Sequence, residues 1–303
     1  MSVAGSSSIS SADRLIVIAG MSRGGTSLLW NIVQSHPQVI DTYYELNEIF
    51  GGKTDIRLAE KSCIELEALC GLPLPAVRRL TRTRLVRFAR LSFEQDEFNR
   101  EKRPGLRYSA SEFPSLRICT KLVSSWETDP LRKLLRRNDA LKYLPLLRRT
   151  YAQVAVIFLV RNGLAVADGW GRRGAPVQTA ASWYRHYVGC YEDYVSANPG
   201  QALIVRFEDI LADPFSLAAR IYAEIGLETA PAQDLRIAVK PTIHANVAVA
   251  NTTRKTKRWI DRHNWRDYID VGINEAQIAR MHPQQRQQFV SVTDDVMRKY
   301  GYL

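Results

Sequence analysis

The sequence predicts an α/β fold of three layers, in which a central parallel sheet is flanked by helices. Short runs of apolar, often β-branched residues recur along the chain, as in strands that are buried on both faces. Segments with helical periodicity separate these runs, and such alternation produces parallel sheets through right-handed crossovers. A glycine-rich segment joins the first apolar run to the first helical one. These three observations together favour one layered α/β unit.

Five apolar runs are the predicted strands of this sheet. In chain order they comprise residues 15–19, 39–43, 116–119, 154–160 and 202–205. Apolar residues at helical spacing follow the first strand and predict a helix that ends near His36. Another helix is predicted after Pro214, up to about Gly226.

The domain organisation is predicted from length and composition. Residues 1–13 are small, polar and rich in Ser, so we expect a flexible N-terminus. No long polar linker interrupts residues 14–303, which favours a single domain. Residues 55–110 are charged and mostly helical in pattern, and we expect them to form an insertion over the sheet.

The charge of the chain points to anionic ligands. The sequence has 42 Lys and Arg against 31 Asp and Glu, a formal net charge of +11. Such an excess attracts nucleic acid, anionic membrane, acidic polysaccharide or a phosphorylated nucleotide. Six arginines between positions 78 and 90 alternate with apolar residues. A solvated basic face of an amphipathic helix is the simpler interpretation, and an acceptor- or membrane-facing role stays open.

Several classes of protein are not favoured. No apolar run reaches the roughly 18 residues of a membrane span, and no secretory leader precedes the first strand. We therefore expect a cytoplasmic location, at most peripheral at a membrane. The four cysteines lack metal-ligand spacing, and no module for specific nucleic-acid binding is visible.

The first loop (residues 20–27) has the composition of an anion site. It connects a predicted strand to a predicted helix, so backbone N–H groups and the helix N-terminus converge on one point. Gly24 and Gly25 allow the backbone to approach a ligand closely. Arg23 supplies a cation, while Thr26 and Ser27 supply hydroxyl groups.

The first loop differs from the phosphate loop of kinases and ATPases. That pattern requires Lys directly after its last glycine, whereas here Thr26 follows Gly25 and the cation, Arg23, precedes it. An Mg²⁺-binding arrangement is also not evident. This argues against a nucleotide kinase or phosphotransferase, which remains the alternative enzyme class.

The first loop resembles that of the sulfotransferase superfamily, particularly its bacterial and carbohydrate-type members. The residues that match are Arg23, Gly24, Gly25, Thr26, Ser27 and Leu28. A second segment, residues 158–162, resembles the strand whose terminal Arg, here Arg161, binds a 3′-phosphate in that superfamily. The resemblance implies a P-loop-like three-layer fold and the donor PAPS (3′-phosphoadenosine 5′-phosphosulfate), with PAP as the product. It also implies that residues 23–28 bind the 5′-phosphosulfate.

The chain departs from the superfamily pattern at the predicted 3′-phosphate site. A Ser usually stands eight residues after the Arg, and that position here is Gly169, which has no hydroxyl. The missing hydroxyl has two candidate replacements. One is a neighbouring cation, Arg172 or Arg173, and the other is the late basic pair Arg254 and Lys255.

The resemblance also suggests catalytic roles. Sulfuryl transfer proceeds in line, and catalysis depends on positioning and on fixed cations near the leaving group. Arg23 is the predicted stabiliser of the leaving group, and Lys121 matches a superfamily Lys that touches the transferring group. Glu45 is the predicted base for the acceptor hydroxyl, with Glu48 as its rival. No metal is required by this arrangement.

The acceptor and the oligomeric state cannot be predicted from the sequence. The acceptor group is a hydroxyl or an amine. The molecule that carries it is a small molecule, a lipid-linked molecule or a carbohydrate-containing one, and all three remain open. A non-catalytic nucleotide-binding member of this fold, or a basic nucleic-acid-binding protein, is the alternative outside the enzymes.

Overall fold

The computed structural model describes residues 13–46, 49, 73–103, 106–124, 140–239 and 258–303. Its strands are β1 Arg14–Met21, β2 Val39–Asp41, β3 Glu101–Arg103, β4 Leu106–Arg107, β5 Arg117–Ser124, β6 Gln153–Val160, β7 Ala202–Arg206, β8 Ile237–Val239 and β9 Arg258–Ile260. The α-helices in these ranges are α1 Thr26–Gln34, α2 Leu74–Gln95, α3 Glu97–Arg100, α4 Leu144–Thr150, α5 Gly163–Gly171, α6 Val177–Ala197, α7 Phe207–Ala212, α8 Pro214–Glu224, α9 Ile273–Arg280 and α10 Pro283–Lys299.

Five of the strands form the central sheet, in the order β2-β5-β1-β6-β7, and every neighbouring pair is parallel. The predicted fold class is therefore confirmed, and each predicted strand corresponds to a strand of this sheet. Because all five strands run in one direction, their carboxyl ends lie at one edge, where α/β folds bind their ligands.

Both faces of the sheet are covered by apolar side chains. Along β1, Leu15, Val17 and Ala19 belong to one buried cluster, while Ile16 and Ile18 belong to the other. This alternation follows from the two-residue period of a strand. Buried residues of α2, α4, α5, α6 and α10 complete the first cluster, and those of α1, α7 and α8 complete the second. The three-layer arrangement follows.

The structure describes only part of the predicted insertion. Residues 51–72 lie outside the described residues, and residues 73–103 form α2, α3 and β3. Helix α2 buries Val77, Leu85 and Phe88 against the sheet layer and exposes Arg79 and Arg87. This helix is therefore amphipathic, as its sequence pattern predicts. The extent of the insertion and the single-domain organisation stay predictions.

None of the helices in the described ranges combines the length and the apolar character that crossing a bilayer needs.

Candidate active site

The first loop leaves β1 and enters α1 through an unusual backbone path. Arg23 and Gly25 both have positive φ angles, of 68° and 91°. A Cβ atom at Gly25 would lie 2.3 Å from the Phe207 ring, so only glycine fits there. Arg23 is not a glycine, and a left-handed conformation costs such a residue of order 1–2 kcal/mol. Neighbouring groups must therefore hold the loop in this shape.

Two contacts fix the start of the first loop. The Ser22 N–H donates to the Ser124 carbonyl at 2.7 Å, at the end of β5. The indole Nε1–H of Trp170 reaches both the carbonyl oxygen of Ser22, at 2.8 Å, and its Oγ, at 2.7 Å. Trp170 is fully buried in α5. Sequence reasoning missed it, because the contact joins residues far apart in the chain.

The N-terminus of α1 offers donors toward solvent. Gly25 caps this helix without any side-chain hydrogen bond, and the first turn contains no acidic residue. Leu28 N–H donates to the Gly25 carbonyl, whereas the earlier N–H groups of a helix generally have no acceptor within it and are suited to bind an anion. Ser27 is exposed at this end. The loop thus has the composition and the geometry of an anion site.

Two of the predicted loop residues are less accessible. Thr26 is buried, and its methyl group lies against Gly20, where an added Cβ would be 2.6 Å away. The Leu28 side chain is buried in the core, and its N–H donates to the Gly25 carbonyl at 2.9 Å. Any contact of these two residues with a ligand stays a prediction.

Lys121 connects the first loop with the predicted base. Its Nζ lies 3.0 Å from the Ser27 Oγ and 2.8 Å from the Glu45 Oε1. The same ammonium group lies 4.7 Å from the centre of the Trp30 ring, in cation–π geometry. The fold therefore brings Ser27, Glu45 and Lys121 together, and all three were predicted site residues.

The position of Lys121 corrects one expectation. The sequence predicts a strand that ends at Cys119 with Lys121 beyond it, whereas β5 continues to Ser124 and Lys121 lies within it. The residue is only 4% exposed. Lys121 faces the site, whereas Thr120 points to the opposite face of the sheet and lies 3.1 Å from the Thr42 hydroxyl. Both are polar and interrupt the apolar run, so the sequence pattern does not reveal the rest of the strand. A buried lysine next to a carboxylate is a functional candidate rather than a surface residue.

Three arginines gather on the other side of the first loop. Burial lowers the pKa of the Arg23 guanidinium below its ordinary value, and the charges of Arg173 and Arg172 lower it further. Arg172 and Arg173 follow α5 directly, and both are exposed. Adjacent cations repel one another, so a bound anion is expected to stabilise this arrangement.

Arg161 follows β6, as predicted, but most of its hydrogen bonding is directed to the protein. Its Nε donates to Asn274 Oδ1 at 2.7 Å, its Nη1 to the Arg23 carbonyl at 2.9 Å, and its Nη2 to Gln277 Oε1 at 2.6 Å. The guanidinium lies over the Phe207 ring at 4.4 Å. Burial lowers its pKa to about 10, which leaves it charged at neutral pH.

Gly169 makes room for the side chain of Arg23. A Cβ atom at position 169 would lie 2.8 Å from the Arg23 Cβ and 2.9 Å from its Cγ. The Ser that the superfamily pattern places here could not coexist with Arg23 in its present position. The departure noted in the sequence therefore has a steric reason.

The variant Gly169→Ser tests this steric reason. We expect it to weaken binding of PAP by about tenfold, because the new side chain displaces Arg23 from its position, a strain of order 1–3 kcal/mol. The measurement is calorimetric titration with PAP. The matched control is Gly171→Ser in the same helix, where an added Cβ meets no atom within 4 Å. Stronger binding by Gly169→Ser would show that the missing hydroxyl matters more than the contact with Arg23.

Other predicted residues cannot be placed. Arg254, Lys255 and Glu48 lie outside the described residues. No group of His, Cys, Asp or Glu side chains in the described part of the chain has a metal-binding arrangement.

The fold and the site together define the class of protein. A parallel α/β sheet carries an anion loop after its first strand, and fixed cations and one carboxylate surround that loop; this is the arrangement of a group-transfer enzyme acting on an anionic donor. The model of the sulfotransferase family matches residues 16–231, more than two thirds of the chain. The chain therefore belongs to the sulfotransferase family.

The chain is similar to solved structures that include two sulfotransferase domains and one sulfotransferase. The sulfotransferase domain of the Synechococcus PCC 7002 olefin synthase is 13% identical, with a TM-score of 0.47, over 93% of this chain and 94% of that one. The sulfotransferase domain of the curacin biosynthetic pathway is 14% identical, with a TM-score of 0.48, over 91% and 95%. Mouse sulfotransferase SULT7A1, solved with PAP, is 13% identical, with a TM-score of 0.43, over 96% and 86%. A comparison with curated proteins found no match.

Proposed function

We propose that this sulfotransferase takes its sulfuryl group from PAPS and transfers it, by in-line displacement, to a hydroxyl or amine of a small-molecule or carbohydrate-containing acceptor. The first loop would bind the 5′-phosphosulfate, and the second phosphate would lie on the side of Arg161 and α5. The exposed Ser27 and the N–H groups of the first turn of α1 suit the 5′-phosphosulfate.

The contact that carries this proposal is the one made by Lys121. One ammonium group lies within hydrogen-bonding distance of both Ser27 in the first loop and the Glu45 carboxylate. A donor held by the loop would thus be next to a carboxylate that can accept a proton. A buried cation at this point also suits the charge that develops between donor and acceptor.

The residues present account for each bond that changes. The acceptor oxygen or nitrogen attacks sulfur, and the bond between sulfur and the bridging oxygen of the donor breaks. The electron pair of that bond stays on the 5′-phosphate of PAP, where Arg23 and Lys121 stabilise the negative charge. The proton of the acceptor passes to the Glu45 carboxylate, whose side chain is 32% exposed and so accessible from solvent.

The alternatives predict different ligands. A nucleotide kinase or phosphotransferase would bind ATP with Mg²⁺, and a nucleic-acid-binding protein would bind oligonucleotides through its charge. Membership of the sulfotransferase family argues against both. A non-catalytic member of the family would bind PAP and fail to transfer sulfate.

Calorimetric titration with PAP, ATP and an oligonucleotide tests the donor. We expect tight binding of PAP, weak binding of ATP even with Mg²⁺, and oligonucleotide binding only at low salt, where electrostatic attraction is not screened. Incubation with ³⁵S-labelled PAPS and small-molecule extracts then identifies the acceptor. ATP binding as tight as that of PAP would contradict the proposal, and PAP binding without any labelled product would favour the non-catalytic alternative.

A further inference from the structure

Helix α2 is fixed on the fold by its inner face. Val77, Leu85 and Phe88 are buried in the apolar cluster that covers one side of the central sheet. Near the end of the helix, the Ser92 hydroxyl donates to the carboxylate of Asp41, the last residue of β2. Because these contacts determine the orientation of α2, the residues on its outer face are held toward solvent.

The outer face of α2 combines arginines with exposed aliphatic side chains. Arg79, Arg87 and Arg90 are exposed, and the exposed fractions of Leu80 and Val86 are 44% and 36%. Val86 and Arg90 follow Arg79 by seven and eleven residues, which is about two and three turns of a helix. Arg87 follows Leu80 by seven residues in the same way. The cations and the aliphatic side chains therefore share one side of the helix.

The stability of the helix does not account for these charges. Residues 74–93 contain six arginines and no acidic residue. The first turn of α2 has no acidic residue and the last turn has no basic one, although the helix dipole favours acids at the start and bases at the end. Arg87 and Arg90 are three residues apart, and like charges at neighbouring positions destabilise a helix. A ligand that attracts the arginines would explain why they are there.

Two arginines of α2 differ in how the protein compensates their charge. Arg82 pairs with Asp13 and lies 5.6 Å from the centre of the Tyr151 ring. The guanidinium of Arg90 lies 5.2 Å from the centre of the Phe113 ring. A cation–π contact of this kind holds a guanidinium in place and does not neutralise its charge. The charge of Arg90 is thus fixed at the surface and suited to attract an anion.

The aliphatic side chains indicate the kind of ligand. A nucleic acid or an acidic polysaccharide would pair with the arginines and leave Leu80 and Val86 in water. An anionic bilayer offers phosphate groups to the arginines, and at the boundary of headgroups and acyl chains it offers hydrocarbon to the aliphatic side chains. Removing apolar surface from water favours this second contact. The observations together therefore fit a lipid surface best.

We propose that the outer face of α2 is a docking surface for anionic membranes. Arg79, Arg87 and Arg90 contact the lipid phosphates, and Leu80 and Val86 enter the boundary of headgroups and acyl chains. This is a peripheral contact of a folded helix, and it requires no membrane span. The inference goes beyond the proposed transfer reaction and does not depend on the identity of the donor.

The docking surface lies close to the segment that carries the proposed base. On the inner side of α2, the Phe88 ring lies 5.8 Å from the ring of Tyr44, the residue before Glu45. A helix with its side chains is about 10–12 Å wide. A membrane on the outer face of α2 would therefore lie about one helix diameter from this segment.

Co-sedimentation with lipid vesicles, without nucleotide, tests the docking surface. We expect the wild-type protein to bind vesicles of phosphatidylcholine with about one quarter phosphatidylglycerol, to bind pure phosphatidylcholine weakly, and to dissociate as salt is added. In Arg79→Gln/Arg87→Gln/Arg90→Gln, the partition coefficient onto the anionic vesicles should fall about 100-fold, because each arginine near such a surface contributes about a fivefold factor. In Leu80→Ser/Val86→Ser, it should fall about tenfold.

A matched control removes the same net charge elsewhere. Arg185, Arg220 and Arg298 are exposed, and each pairs with a surface aspartate. Their joint replacement by Gln should lower vesicle binding by less than about threefold, because only the long-range field of the protein changes. Thermal melting should stay close to wild type in every variant, since all the replaced side chains are exposed.

Three results would overturn the inference. The first is a wild-type protein that does not bind the anionic vesicles at low salt, and the second is equal vesicle binding by the wild type and the triple α2 variant. The third is wild-type vesicle binding by Leu80→Ser/Val86→Ser together with binding of a heparin fragment that requires the three α2 arginines. That result would show that this face binds a soluble polyanion instead of a membrane.

Discussion

Replacing Glu45 with Gln is expected to lower kcat by about 10²- to 10⁴-fold, the usual contribution of a general base. Gln keeps the shape of the side chain and can still accept a hydrogen bond from Lys121, whose Nζ lies 2.8 Å from the carboxylate. It cannot take a proton from the acceptor. PAP affinity should stay near the wild-type value, since the change is on the acceptor side. The measurement is ³⁵S transfer to the identified acceptor, with PAP titration in parallel.

Chemical rescue and a matched control make this prediction specific. Formate should restore part of the rate in Glu45→Ala, because a small carboxylate can occupy the vacated space and act as the base. Glu224→Gln, an exposed carboxylate near the end of α8, should leave kcat unchanged. A Glu45→Gln enzyme that works at close to the wild-type rate would exclude Glu45 as the base.

Replacing Lys121 with Met is expected to lower kcat by about 10²- to 10³-fold, as for removal of one group that stabilises a developing negative charge. It removes the cation that contacts both Ser27 and Glu45. PAP binding should weaken as well, because the 5′-phosphate loses a neighbouring charge. Stability should change little, since Met has a similar length and suits a buried site, and the remaining carboxylate of Glu45 is partly solvated.

The surface pair of Lys299 and Glu192 is the control for Lys121→Met. Its two charged atoms are also 2.8 Å apart, but the lysine side chain is 61% exposed. Lys299→Met should therefore leave kcat and PAP affinity unchanged, and thermal melting of both variants should remain close to wild type. Wild-type turnover by Lys121→Met would show that the buried ammonium has no part in the transfer.

The sheet was predictable from the sequence because its strands are buried on both faces. β1 and β6 are continuous apolar runs, and such runs identify parallel strands without an alternating pattern. Strand β5 was predicted too short, because the polar residues Thr120 and Lys121 interrupt the apolar run, and Lys121 faces the site. Strand boundaries are thus least predictable where a strand contributes polar side chains to function.

The parts of the site that lie near each other in sequence were predictable, and the long-range contacts were not. The first loop could be recognised by its composition alone. Nothing in the sequence indicates that Trp170 donates to Ser22, or that Asn274 accepts from Arg161 over a separation of 113 residues. These pairings depend on how helices pack on the sheet. The steric role of Gly169 also required coordinates, because it depends on the path of Arg23.

A crystal structure with PAP is the most direct test of the proposed donor site, and it does not require the acceptor to be known. We predict the 5′-phosphate within about 2.7–3.2 Å of the first-turn N–H groups of α1 and next to the Lys121 ammonium group, with Glu45 on the open side. The second phosphate should lie on the side of Arg161 and α5. A 5′-phosphate bound away from residues 23–27, or at a distance from Lys121, would contradict the account.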